Sequence, residues 1–92
     1  MRIRWTESAV RSFVEHLAHA AADSLDAAQR LRSAVVESVE RLNSSPHRGR
    51  PGQRVGTREL MTPRFPAYVV VYRVIESEIR IICVWYKQQN LS

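Results

Sequence analysis

The sequence predicts an α+β fold in the order β-α-α-β-β-β, a helical hairpin packed on a mainly antiparallel sheet, and three observations carry that expectation. Two apolar stripes at spacings of three and four fill the first half of the chain. Two runs rich in β-branched and aromatic residues, Ala67 to Val74 and Ile79 to Tyr86, fill the last third, with only a short break at Glu76-Ser77 between them. An alternating segment, Arg2 to Trp5, comes first and reads as a short strand.

Thr6 stops that strand and is a good helix N-cap, with Glu7 in the first turn, where the helix dipole favours a negative charge. From there Ala9, Val10, Phe13, Val14, Leu17, Ala20 and Ala21 form the stripe of a half-buried helix. Asp23-Ser24 breaks and recaps the chain. The second helix puts Ala28, Leu31, Val35, Val39 and Leu42 on one face, keeps its charges largely elsewhere, and ends in Asn43-Ser44-Ser45-Pro46. So short a break forces an antiparallel hairpin, and its stripes need a common surface. The sheet supplies one, and Phe13, Val14, Leu17, Leu31, Val35, Val39 and Leu42 are expected to face it. Arg58-Glu59-Leu60 begins the C-terminal strands. The two strands after it are apolar at nearly every position, which predicts central strands with little solvent on either face.

A chain of 92 residues is expected to be one domain, residues 1–92, with a core small enough that a partner covering apolar surface would add to its stability. The formal charge is +5 and it is unevenly placed. Between Pro46 and Arg64, five arginines (Arg48, Arg50, Arg54, Arg58 and Arg64) are opposed by Glu59 alone, which favours a nucleic acid, a ribosome or an acidic protein segment as partner. The lone Cys83 lies inside an apolar strand and is expected in the core, so neither a disulfide framework nor a thiolate metal cluster is available. His16, His19 and His47 lack metal-ligand spacing, and His16 and His19 read as a polar helix face. Gly49, Gly52 and Gly56 never open a helix and read as turn residues, not a phosphate loop. No metal, cofactor or membrane span is therefore expected, and a cytoplasmic location is.

Arginines in a Gly/Pro-rich loop beside aromatic residues can grip phosphates bidentately. Arg48, Arg50, Arg54, Arg58 and Arg73 are thus the candidates for binding a target or a nucleic acid, and Arg58 and Arg73 gain from sitting on strand backbone. Among Tyr68, Tyr72, Trp85 and Tyr86, about two of the four rings are expected in the core. Tyr86 ends the last strand beside Lys87, where a phenol can donate a proton or stack.

The Trp-Thr-Glu start, the turn Pro46-His47-Arg48-Gly49-Arg50-Pro51-Gly52, the segment Gly56-Thr57-Arg58-Glu59-Leu60 and the strand Tyr68-Val69-Val70-Val71-Tyr72-Arg73-Val74 together resemble the RelE/ParE superfamily of bacterial type II toxins. The resemblance covers essentially the whole chain. It implies a growth-arresting toxin, of the kind associated with plasmid stabilization, neutralised in a hetero-oligomer by a cognate acidic antitoxin. RelE-like members cleave messenger RNA on the ribosome, and ParE-like members poison DNA gyrase without being hydrolytic enzymes. The nuclease branch usually carries an arginine three residues before the tyrosine matching Tyr72, where this chain has Val69. If the chain were a nuclease, Arg58 and Lys87 would stabilise charge on the phosphate and Tyr86 would pass the proton. The ParE-like branch fits the Pro-His-Arg-Gly-Arg turn and the Arg-Glu-Leu strand better. It commonly places histidine where Tyr86 stands and an arginine soon after, where this chain has Gln88 and Gln89.

Overall fold

A computed structural model describes residues 1–87 of the chain, so Gln88 and Gln89 lie outside the described residues. Its elements are β1 (Arg2–Trp5), α1 (Glu7–Asp23), α2 (Leu25–Arg41), β2 (Arg50–Pro51), β3 (Arg58–Thr62), β4 (Phe65–Ile75) and β5 (Glu78–Tyr86). The predicted order is present, and the two-residue β2 adds an edge that the sequence did not announce. The strands form one sheet in the order β1-β5-β4-β3-β2, antiparallel throughout except for the parallel pair β1 and β5.

The caps act as the sequence implies. Thr6 Oγ1 accepts the Ala9 N–H at 3.1 Å and opens α1. Ser24 closes α1 through its own N–H to the Ala20 carbonyl and opens α2 by accepting the Ala27 N–H, so one residue makes the whole hairpin turn. The turns β3–β4 and β4–β5 are tight, with Arg64 and Glu76 at φ values of 71° and 55°.

Both helices lie on the same face of the sheet, α1 over β5 and α2 over β3 and β4. Ala9, Phe13, Leu31, Val35, Val39 and Leu42 from the helices meet Val70, Tyr72, Ile79, Ile81 and Val84 from the strands. Burying a large apolar side chain there stabilises the fold by roughly 1.5–3 kcal/mol. Val14, expected to face the sheet, does not: it is 56% exposed, and Val10 is 47% exposed. The stripe that packs on β5 is Ala9, Phe13, Leu17 and Ala20, and Val10 and Val14 stand about 100° further round the helix.

The expectation that the central strands exclude solvent on both faces also needs correction. Beyond the helix-covered face lies a face with no helix on it, where Val71, Cys83 and Trp85 are only half-buried. Cys83 is therefore not a core residue. The continuous apolar run Ile81-Ile82-Cys83-Val84 has a different cause, a β-bulge. Val71 pairs with Cys83 and Tyr72 with Ile81, which leaves Ile82 as an extra residue and inverts the alternation along β5. Ile79 and Ile81 face the helices before the bulge, and Val84 and Tyr86 face them after it.

Candidate functional site

Three groups of residues frame the candidate site: the loop before β3, the seam between α1 and β5, and the helix-free face. The loop is held by two side chains from the sheet. The Tyr72 ring is fully buried, and its hydroxyl donates to the Pro46 carbonyl at 2.8 Å while accepting the Gly49 N–H at 2.9 Å. Burial pushes the Tyr72 phenol pKa up, opposed by the Gly49 hydrogen bond and the nearby Arg58 charge. Arg58, opposite Tyr72 on β3, donates to the Gly49 carbonyl at 2.7 Å and to the His47 carbonyl at 3.3 Å. A Cβ on Gly49 would come within 2.8 Å of the tyrosine ring, so only glycine allows this approach. Further on, Glu59, 9% exposed, accepts the Gln53 N–H at 3.1 Å and pairs with Arg50 at 3.4 Å, fixing the loop to the helix-free side.

At the seam, β1 ends at Trp5, paired with Ile81, so the outer edge of β5 beyond that point has no strand beside it. Side chains from the start of α1 seal it instead. The Thr6 hydroxyl donates to the Ile81 carbonyl at 2.8 Å. The Val84 N–H donates to Ser12 Oγ, and His16 Nε2 donates to the Val84 carbonyl, both at 3.0 Å. His16 is thus half-buried and committed to the strand edge, not part of a solvated polar face. Its ring meets Tyr68 edge-on at 5.3 Å, and Tyr68 packs on Tyr86 at 4.8 Å. Burial, then the neighbouring Tyr86, raises the Tyr68 pKa. The three rings line an open cleft between the helices and the sheet that Phe65 and Leu31 also border.

The helix-free face carries the charge. Arg2 and Arg4 on β1 are in register with Glu78 and Arg80 on β5, and Arg80 is in register with Arg73 on β4. Arg80 Nε donates to Glu78 at 2.7 Å. That hydrogen bond, with the charges of Arg80, Arg4 and Arg2, holds the Glu78 carboxyl below its ordinary pKa. Burial raises the Cys83 thiol pKa on the same face, with Arg54 lowering it and Glu59 raising it.

The predicted residues therefore divide. Arg50, Arg54 and Arg73 share the helix-free face, Arg58 is built into the loop anchor on the other side, and Arg48 stays exposed in the loop. Arg58 and Tyr86 are two strands and four residues apart, roughly 10 Å across and 14 Å along the sheet. Lys87 rests its ammonium 3.4 Å from the Met61 sulfur. Arg58, Tyr86 and Lys87 do not converge. The sequence reading missed Arg2, Arg4 and Arg80. Their signal was the Arg-x-Arg alternation of the first strand, legible only once the pairing register is known.

The sequence pattern of the family described as "ParE toxin of type II toxin-antitoxin system, parDE" matches residues 3–91. The chain belongs to the ParE toxin family. Within it, the chain is similar to "Putative toxin Y4kP" of Sinorhizobium fredii (strain NBRC 101917 / NGR234), 38% identical over 89 residues that make up 97% of this chain and 91% of that one. A solved structure titled "Chromosomal ParDE TA system from P. aeruginosa" superposes with a TM-score of 0.83 at 25% identity, covering 94% of this chain and 95% of the other. The ParE fold thus accounts for the helical hairpin, the sheet and its order, and the chain is the toxin component of a type II toxin-antitoxin system. Among the described residues, no helix is long and apolar enough to cross a membrane.

Proposed function

We propose that this ParE-family toxin arrests growth in the bacterial cytoplasm by acting on DNA gyrase, and that a cognate acidic antitoxin holds it silent in a hetero-oligomer. One observation carries the choice of target: Arg58, Tyr86 and Lys87, the residues a ribosome-dependent nuclease would need together, are spread over two faces of the sheet. Phosphodiester cleavage needs a charge-stabilising group and a proton-transfer group within hydrogen-bond reach of one phosphate. Arg58 is moreover already bonded to two loop carbonyls. A toxin that works by binding has no such requirement. The antitoxin reading rests on family membership and on complementarity, since exposed Val10, Val14 and Leu25 offer apolar contact beside a basic protein.

Controlled expression tests the target. Induction should accumulate covalent gyrase–DNA complexes and trigger the DNA-damage response, with ribosome-bound messages intact. Codon-phased cuts in those messages, lost on Tyr86→Phe, would move the protein to the nuclease branch. The antitoxin is tested by co-expression with the adjacent reading frame, which should rescue growth and co-purify with the chain.

A further inference from the structure

The arginines of the helix-free face are unexplained by the fold. Arg4, Arg80 and Arg73 stand side by side on three neighbouring strands, and like charges directly opposite one another destabilise a sheet. Arg2 continues the row toward Glu78. On the other flank, a Cβ on Gly56 would lie 3.0 Å from Arg73 Nη2, so this guanidinium reaches the loop that carries Arg54. Six arginines, counting Arg50, face Glu59 and Glu78, with Glu76 at the adjoining turn. The resulting surplus of three is most of the chain's net +5. Glu59 and Glu78 are already paired, with Arg50 and Arg80. Among the described residues, Arg2, Arg4, Arg54 and Arg73 make no ion pair, and all four are exposed.

We infer that this face grips the sugar-phosphate backbone of duplex DNA without reading its sequence. The inference rests on the gyrase reading for the choice of DNA over RNA, and on geometry for the rest. The row from Arg4 to Arg73 alone spans roughly 10 Å of rigid strand backbone, and the loop extends it further. Its side chains are guanidiniums, which pair bidentately with phosphates. Single-stranded nucleic acid is held by exposed aromatic platforms, and the aromatic ring on this face, Trp85, is half-buried and pairs with Val69, four residues along β4 from Arg73. An acidic protein segment would be anchored by apolar contacts at the centre of its interface, and the apolar residues beside the row are only the half-buried Val71 and Cys83, with Val55 exposed at its loop edge. Concentrated charge with little accessible stacking or apolar surface within the row fits a regular polyanion bound through its phosphates.

Fluorescence anisotropy of the purified full chain with a labelled 20-base-pair duplex tests this directly. Contacts from Arg2, Arg4, Arg54 and Arg73 predict that the association constant falls about 100-fold between 50 and 200 mM salt. The triple variant Arg4→Gln/Arg73→Gln/Arg80→Gln should lose most of the binding. Each single replacement of Arg4 or Arg73 should cut the salt slope by roughly one. The triple variant Arg30→Gln/Arg32→Gln/Arg41→Gln, which removes the same charge from α2, should bind as the parent does. Thermal melts establish that each variant is folded, and the single variants decide the matter if a triple one is not. Equal losses in both triple variants would overturn the inference in favour of net charge. Tighter binding to a single strand, or to a polyglutamate of equal charge, would overturn it in favour of those partners. A parent chain that binds no duplex yet traps gyrase on DNA would sink this inference and leave the target reading standing. Duplex binding without gyrase trapping would do the reverse.

Discussion

The two faces of this sheet are built from alternate residues of the same strands, yet they solve different problems. On the helix-covered face, every strand position from Val70 to Val84 that enters the core is apolar or, like Tyr72, has its polar atom bonded. On the helix-free face, Val69 is buried between Met61 and Trp85, Val71, Cys83 and Trp85 are half-buried, and Arg4, Arg80 and Arg73 stand in mutual register across three strands. The first arrangement stabilises; the second tolerates repulsion. A sheet whose core lies on one face leaves the other free to carry more positive charge than its two paired carboxylates, Glu59 and Glu78, balance. The surplus charge on that face is what the proposed grip on duplex DNA would use.

The sharpest way to break the comparison is to make one cavity on each face. Leu31→Ala on α2, 2% exposed over the covered face, should cost about 2–5 kcal/mol, a large part of the stability of so small a fold. Val71→Ala on the other face should cost less than about 1.5 kcal/mol, because solvent already reaches the site. Urea titrations of the two variants against the parent measure both. Equal costs would mean that the helix-free face is as much a core as the other.

A smaller effect sharpens the contrast at the one residue that ties the core to the loop. Tyr72→Phe keeps the buried ring but removes the acceptor for the Gly49 N–H and the donor to Pro46. Leaving a buried N–H without a partner costs about 1–3 kcal/mol, so the variant should stay folded with a lower midpoint. Hydrogen exchange at Gly49 should accelerate more than exchange in α1. A uniform acceleration would show that the hydroxyl acts on global stability and not on the loop.

How much of this could be read in the sequence depended on whether the signal was local. Thr6 and Ser24 act within three residues of themselves, and the stripes through Phe13 and Leu31 repeat within one turn, so caps, helices and element order were legible. Register is not local. The bulge at Ile82 inverts the alternation of β5 and disguises a half-exposed strand as a fully buried one. The arginine row joins residues 4, 73 and 80, whose proximity exists only after β1 has paired with the last strand. His16 looked like a surface residue because nothing in the sequence says that β1 stops short and leaves the edge of β5 to be sealed by a helix. Arg58 looked available for phosphate because its carbonyl partners come from a loop whose path Tyr72 determines.

The smallest effect probes the charged face through the carboxylate that Arg80 holds, Glu78. Glu78 is held below its ordinary pKa of 4.5 chiefly by the hydrogen bond from Arg80, with the charges of Arg80, Arg4 and Arg2 adding to it. A carboxylate whose pKa is depressed by folding contributes stability that is fully present above its unfolded value and is lost as the pH falls through the folded value. The melting temperature of the parent should therefore drop more steeply below pH 4.5 than that of Arg80→Gln, in which the largest cause of the depression is gone. At neutral pH the two should differ by less than about 4 °C, because the lost pairing is offset by relief of the repulsion among Arg4, Arg80 and Arg73. Carboxyl NMR of Glu78 separates these contributions. Its titration midpoint should rise toward 4.5 in Arg80→Gln and remain slightly lower, since Arg4 and Arg2 still face it. A midpoint at the ordinary value in the parent would mean that the arginines, although in register, are too solvated to act on one another, and that the row is less concentrated a source of charge than its spacing implies.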